Sequence, residues 1–297
     1  MASTATLERQ LRIGGELQTL VTTMKGLAAI VIHEFEESVA ALDRYQQTIE
    51  LGLQAVFIAN PELRPPLDVD PGGRVVAIVV GTDQGLCGPI NREIAQEAAI
   101  WLNAQQVTPA QSRIIALGHR IVGELAAVGI DVDQQLPLVN SVGALGSFTQ
   151  ELIVEIDGHQ RGEAARVMAF HQQPLQRAQR TTRVRQLLPV DGRRFETIAA
   201  RPWPTRVLPD TPHDRDVALA HLLRQDLFIA LYTAIAAAKA AEHGARLAAM
   251  HAAEQNIEER LDRFRSRYHQ LRQAQITSEL LDVVSGFELL RDGKDGV

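Results

Sequence analysis

No proline follows Pro212. From there to about residue 290 the chain reads as one helix, because a helix interior excludes proline at about 3 kcal/mol. Thr211 is placed to cap it, Pro212 suits the first helical position, and Asp214 adds a favourable charge in the first turn. At 1.5 Å per residue such a helix is a rod of ~120 Å. A domain built from the remaining chain is several times narrower, so the rod needs cover from another helix or from other chains.

All 13 prolines lie between Pro61 and Pro212, which divides the chain into three. The reading is an N-terminal coiled-coil helix over 1–60, a central α/β domain with linkers over 61–211, and a C-terminal coiled-coil helix over 212–297. The fold class is α/β: a long antiparallel coiled coil of the two terminal helices, forming one stalk, plus a small Rossmann-like domain. The 45% apolar and only 4% aromatic content, rich in alanine, fits closely packed helices. In the first helix Val31, Phe35, Leu42, Tyr45, Ile49 and Val56 fall on a heptad seam, with Ser38 and Gly52 as weak positions. Leu17, Leu20, Met24 and Leu27 extend an apolar face toward the start. Gly14 and Gly15 are expected to loosen the first turns. Gly26 marks either a close backbone approach or a tolerated weak helix former. In the last helix Ile257, Leu261, Phe264, Tyr268 and Leu271 keep 4-3-4-3 spacing, and Leu280, Val284 and Phe287 continue it after a phase slip near Gln275.

Between the helices the period changes. Residues 60–73 read as a linker. The run 74–81, RVVAIVVG, is typical of a strand buried on both faces. Further strands are expected at 113–117, 132–136, 166–171 and 181–188, and helices at 91–105, 119–127 and 147–156. Such alternation gives a compact layer, mostly parallel in its first half. Residues 189–211, with four prolines, read as an irregular connection.

Composition excludes several functions. A net charge of −6 gives no support for a nucleic-acid or anionic-membrane surface. Cys87 is the only cysteine, which leaves no disulfide framework or thiol metal site and fits a reducing compartment. The first residues lack the apolar core of a signal peptide, and no window has 18 consecutive apolar residues. Membrane contact is therefore expected only through partners.

The turn 82–91 follows a strand and precedes a helix, where phosphates often sit, but it has neither a G-x-G-x-x-G nor a Walker sequence and no lysine. Cys87 lies near a helix start and could be a nucleophile, yet the sequence puts no base beside it. A small buried residue in a tight turn is the favoured reading. The histidines show no metal spacing. Arg260, Arg263, Arg265, Arg267 and Arg272 form a basic stretch, read either as solvated surface with pairs such as Glu259–Arg263 or as a collar for acidic partner loops.

Two stretches carry a resemblance. The turn TDQGLCGPIN at 82–91 resembles the S/T-D-R-G-L-C-G-G-x-N turn of the γ subunit of F-type ATP synthases. The block EHGARLAAM at 242–250, followed by RQAQITSEL at 272–280 and VSG at 284–286, is similar to that family's S-E-H-A-A-R-M-x-A-M, R-Q-A-x-I-T-x-E-L and V-S-G-A. TMK at 23–25 stands where the family has A-M-K. The order and spacing agree over nearly the whole chain.

The resemblance implies a central-stalk rotor subunit. It would couple ion flow through a membrane c ring to ATP synthesis or hydrolysis on a ring of α and β subunits. Expected partners are α, β, ε and the c ring. The implied location is peripheral, on the cytoplasmic face of a bacterial membrane. No catalytic, cofactor or metal residue is implied. Arg272, Gln273, Thr277 and Glu279 match the segment that meets β-subunit loops, and Met24 and Lys25 match the one near the β C-terminal region. The departures imply a divergent member: Gln84 stands for arginine and Pro89 for glycine, and an apolar then acidic run follows Lys25. An alternate, sodium-linked F-type complex is one lineage such divergence would fit. The coupling ion binds the membrane ring, so no residue of this chain encodes it. The competing readings are a coiled-coil adaptor with a degenerate nucleotide-binding-like domain and, more remotely, an enzyme built on Cys87.

Overall fold

A computed structural model describes residues 4–63, 74–159, 166–175, 179–207 and 214–292, side chains excepted at 159 and 286–292. In order the elements are α1 (Thr4–Ala59), β1 (Val75–Val80), α2 (Ile90–Ala104), β2 (Ser112–Leu117), α3 (Arg120–Ala127), β3 (Gln134–Leu136), α4 (Val142–His159), β4 (Arg166–Pro174), β5 (Arg180–Leu188), α5 (Gly192–Ala200) and α6 (Arg215–Asp292). Two compact units emerge. One comprises Met1–Leu27 with Ala248–Val297, the other Ala28–Leu247.

The first unit is a two-helix pair. Tyr268 donates to Glu8 at 2.7 Å, Gln18 to Glu258 at 3.2 Å, and Thr22 to Glu254 at 3.3 Å. Numbers rise on α1 as they fall on α6, so the helices are antiparallel. The covered side of α1 runs through Thr4, Leu7, Leu11, Gly14, Gln18, Val21 and Lys25, a 3-4 repeat. It is not the face that apolarity pointed to. Leu17, Leu20 and Leu27 are 45%, 55% and 60% exposed. The real seam hides behind polar residues, since Gln18 and Lys25 are half-buried by pairing with Glu258 and Glu254. The hydrogen bond from Lys25 holds the Glu254 carboxyl below its usual range.

Gly14 does not loosen the helix, which is unbroken across it. A Cβ there would lie 2.5 Å from Leu261 Cδ2, so Gly14 is where the helices close up. Gly26 has no such neighbour. On α6 the expected seam is present: Leu261 is buried, and Ile257, Phe264, Tyr268 and Leu271 are half-buried. It stops there. Every residue from 272 to 285 is exposed, including Leu280 and Val284, which the heptad reading carried onward; the Phe287 side chain lies outside the described residues.

The second unit packs a five-stranded sheet, ordered β3-β2-β1-β4-β5, between helical layers. All neighbours are parallel except β4 and β5. Strand periodicity splits the β-branched runs between two cores. Val76, Ile78 and Val80 face a cluster with Leu145, Leu152, Phe35, Leu231 and Ile235 from α4, α1 and α6. Val75, Ala77 and Val79 face Ile94, Ala98, Ile121 and Leu125 from α2 and α3. Alanines at 234, 236, 238, 240 and 241 are buried on several sides of α6, as a helix wedged between a sheet and another helix requires.

Residues 192–200 form a helix where an irregular connection was expected. Pro189 and Pro202 bracket it rather than interrupt it, and the Asp191 carboxylate caps it by accepting from Arg193 N at 2.9 Å. Phe195 and Ile198 are buried with Leu53, Phe57 and Ile229, and the Phe57 and Phe195 rings meet edge-on at 5.3 Å. Arg194 forks onto Asp226 with two bonds of 2.7 Å and reaches Glu50 at 3.2 Å, tying α5 to both long helices. Burial pushes the Glu50 carboxyl up, but hydrogen bonds from Arg201, Gln46 and Arg194 outweigh it and hold the carboxyl below its usual range. Asp214 opens α6, its carboxylate accepting from Val217 N at 3.3 Å. The expected cap at Thr211 and Pro212, and linker residues 64–73, lie outside the described residues.

Two predictions follow from these cores. Phe35 is fully buried, so Phe35→Ala should cost about 3–5 kcal/mol in urea unfolding. Burial, helped by the nearby guanidinium groups of Arg185 and Arg183 and opposed by the hydrogen bond to the Gln172 carbonyl, lowers the His171 imidazole to about 4. Its folded pKa lies below its unfolded value, so no penalty exists above about pH 6.5. The penalty then grows by about 1.4 kcal/mol per pH unit as pH falls toward 4. His171→Gln should therefore lose less stability than the parent between pH 6.5 and 4. Equal losses in denaturant titrations would show that the ring is not held neutral.

Candidate functional site

The turn after β1 is held by its own side chains. Thr82 Oγ1 donates to Gln84 O at 3.0 Å and accepts from Asn91 Nδ2 at 2.9 Å. Both Asp83 oxygens are committed, Oδ1 accepting from His119 N and Oδ2 from Leu138 N, each at 2.9 Å. One carboxylate thus ties β1 to the loops after β2 and β3. Gly118 sits at φ +102°, and a Cβ there would press within 2.8 Å of the Thr82 backbone, so only glycine fits.

The outer side of this turn receives α6. Cys87 and Ile90 pack with Ala245. Arg246 Nε and Nη2 lie 3.4 Å from Gly85 O. The same guanidinium pairs with Glu242 at 2.6 Å, and Lys239 Nζ meets the other Glu242 oxygen at 2.8 Å. Side-chain exposure of Lys239, Glu242 and Arg246 is 2%, 2% and 5%. A carboxylate this buried is tolerated only because two cations flank it. Lys239 reaches Asn140 Oδ1 at 3.3 Å, and Arg246 Nη1 donates to His243 Nδ1 at 2.9 Å. Burial pushes His243 down to about 4, against the pull of Glu242 and with the repulsion of Arg246 and Lys239. A neutral imidazole is what an acceptor for Arg246 must be.

In a doubly wound sheet, ligands bind beyond the carboxyl ends of the strands. Here the turn at the end of β1 has its carboxylate and a carbonyl engaged by the chain itself. Cys87 is buried, and its polar neighbours are the Thr82 hydroxyl at 3.9 Å and the Gln84 carbonyl at 3.7 Å, neither of them a base. His119 instead contacts Gln135 and Asp83. The charged trio at 239, 242 and 246 was the missed feature. Its signal was three ionisable residues at i, i+3 and i+7 inside an alanine-rich, core-facing stretch.

The six residues expected at a partner interface lie in the other unit, in two places. Met24 and Lys25 are half-buried, with Lys25 opposite Glu254. Arg272, Gln273, Thr277 and Glu279 lie beyond the last covered position of α6 and are exposed. Glu254 and Arg272 are 18 residues apart (272 − 254) on one helix, about 27 Å at 1.5 Å per residue. Within the second group Thr277 donates to Gln273 O at 2.9 Å and Gln275 to Glu279 at 3.1 Å. These bonds stay within α6. Large apolar side chains share this stretch: Ile276, Leu280, Leu281, Val283 and Val284 are 44–61% exposed. Of the basic stretch, Arg263 pairs with Glu259 at 3.8 Å and Arg265 with Asp262 at 2.9 Å, all on the surface.

Arg246→Ala would strand Glu242 with a single cation. The expected cost is about 3–5 kcal/mol in urea unfolding; a loss under 1 kcal/mol would show that Lys239 alone satisfies the carboxylate.

A family model described as ATP synthase matches residues 3–290. The chain is 25% identical over 291 residues to an ATP synthase gamma chain of Cupriavidus necator, covering 96% of this chain and 99% of that one. It is 26% identical over 272 residues to one of Burkholderia pseudomallei, covering 90% and 92%. Its fold is similar to a chain in the Euglena gracilis mitochondrial ATP synthase (OSCP/F1/c-ring, rotational state 3), with a TM-score of 0.64 at 14% identity, covering 98% and 97%. It is also similar to one in the central stalk/c-ring of the Tetrahymena thermophila enzyme, with a TM-score of 0.55 at 15% identity, covering 79% and 99%.

Proposed function

This chain belongs to the ATP synthase γ-chain family, and on that premise we propose that it is the central-stalk rotor whose α6 end turns inside a ring of α and β subunits. One observation carries the reading. Residues 272–285 continue α6 past the positions that pair with α1, and they present apolar side chains that no described residue covers. A monomer rarely leaves such a surface bare, so a surrounding partner is the physical expectation. Ile13, Leu17 and Leu20 add an uncovered apolar face on α1.

The mechanism is coupling by differential contact. A helix end of fixed asymmetric composition meets each catalytic site of the ring differently as it turns. Each contact shifts that site between states of different nucleotide affinity, and nucleotide binding pushes back on the helix by the same free energy. Arg272, Gln273, Thr277 and Glu279 are the polar groups offered to ring loops, and Met24 and Lys25 are offered lower on the pair. The Lys25 ammonium is shared with Glu254, so a partner carboxylate there would compete with an existing pair. The chain does no chemistry itself and holds no nucleotide. The sheet domain faces ε and the c ring, which carries the ion. No described helix is long and apolar enough to cross a membrane, and the complex holds the chain at the cytoplasmic face of a bacterial membrane.

The test is reconstitution with α and β subunits. The chain should join an α3β3 ring, and Arg272→Ala with Gln273→Ala should lower coupled hydrolysis and synthesis at least about fivefold, the low end of coupling energies. The helix content of the isolated chain should stay unchanged. A chain that remains monomeric beside α3β3 sinks the rotor reading, and full coupling in the double variant removes those two residues from it. Cys87→Ala should keep coupling within about twofold, since a buried thiol-to-methyl change costs roughly 1 kcal/mol of stability and touches no partner. Lost activity there would revive an enzyme built on Cys87.

A further inference from the structure

Among the described residues the sheet ends on β5, which pairs there with β4 alone. Nine residues long, it is not a short edge. Among the described residues, no backbone hydrogen bond joins 180–188 to any element besides β4. One row of amide and carbonyl groups therefore has no backbone partner among the described residues, a ready template for another strand. Its side chains are biased: RTTRVRQLL carries Arg180, Arg183 and Arg185 and no acid. Arg180 is taken by Glu93 at 2.8 Å. Arg183 and Arg185 keep surface exposure; Arg183 donates to the Gln173 amide oxygen at 2.9 Å, and Arg185, partly desolvated, feels the charges of Arg194 and Asp226, with no ion-pair contact to a carboxylate for either among the described residues. Being two apart on a strand, they project from the same face. They are the face-mates of Ala169 and His171 through the register Ala169↔Arg185 and His171↔Arg183.

We propose that β5 is a docking edge for an extended acidic segment of a neighbouring subunit, which adds as a sixth strand. Backbone hydrogen bonds along 180–188 supply the pairing. Carboxylates spaced two apart on the incoming strand meet Arg183 and Arg185, fixing which face it turns inward and its register. A rotor must hold its sheet domain fast to its neighbours under load, and strand addition spreads that load along a ladder instead of a single side-chain contact. The choice of a subunit as the source of the strand rests on the rotor reading; the edge and its charge do not.

The test begins on the isolated chain, with a nine-residue peptide alternating glutamate and valine as probe and its lysine counterpart as control. At millimolar peptide, hydrogen exchange across 180–188 should slow about tenfold with the glutamate peptide and not with the lysine one. The double change Arg183→Glu with Arg185→Glu should reverse the preference. No slowing with either peptide, or equal slowing with both, overturns the proposal. In the assembled synthase the same amides should exchange about tenfold more slowly than in the free chain; unchanged exchange in an intact complex also overturns it. Failure to join α3β3 would instead remove the rotor reading, with the peptide result standing apart.

Discussion

The pairing of Glu242 with Lys239 and Arg246 is the constraint on which the sheet-bearing unit depends. A carboxylate with 2% exposure can stay ionised only with cations fixed beside it. All three lie on α6, so its rotation is set by what they and their neighbours reach beyond it: Arg246 the Gly85 carbonyl, Lys239 the Asn140 amide oxygen, and Ala245 the Cys87–Ile90 pair. The two stretches that carried the family resemblance, 82–91 and 242–250, are thereby revealed as two sides of one joint. A turn that resembles a phosphate cradle in position serves here to receive a helix.

That joint suits a rotor. Torque delivered to the sheet unit has to enter α6 without slipping. A helix held only by alanine packing could rotate at modest cost, whereas turning α6 pulls Arg246 off the Gly85 carbonyl and Lys239 off Asn140, leaving buried polar groups short of partners. The Arg194 fork onto Asp226, shared with Glu50, gives a second keyed contact between α5 and both long helices. Farther along α6 the design inverts: from 272 to 285 no described residue grips the helix, and its side chains are exposed.

The broad architecture was legible because proline and hydrophobic period report directly on backbone options. The proline-free flanks became α1 and α6, and RVVAIVVG became the doubly buried β1. The errors have physical causes. On α1 the seam is hard to read because its apolar positions Leu7, Leu11 and Val21 alternate with Gly14, Gln18 and Lys25, which are covered by a close approach of Leu261 and by polar pairing, while the more apolar face through Leu17, Leu20 and Leu27 stays exposed. The helix 192–200 is masked in a proline-rich stretch, since its prolines stand at its borders and not inside it. At the candidate site, Asp83 and Gly118 act across loops distant in sequence, so their partners exist only once the sheet is formed. The trio at 239, 242 and 246 did leave a trace, as charge at helical spacing in an apolar stretch.

As a rotor, the exposed end of α6 turns within a ring of other subunits. The most direct measurement attaches a fluorescent or bead probe to the sheet unit and holds an α3β3 complex containing this chain to a surface while ATP is supplied. The probe should rotate in one direction with three dwells per turn, one for each catalytic site of the ring. A probe that stays fixed relative to α3β3 while ATP is hydrolysed would contradict the rotor reading.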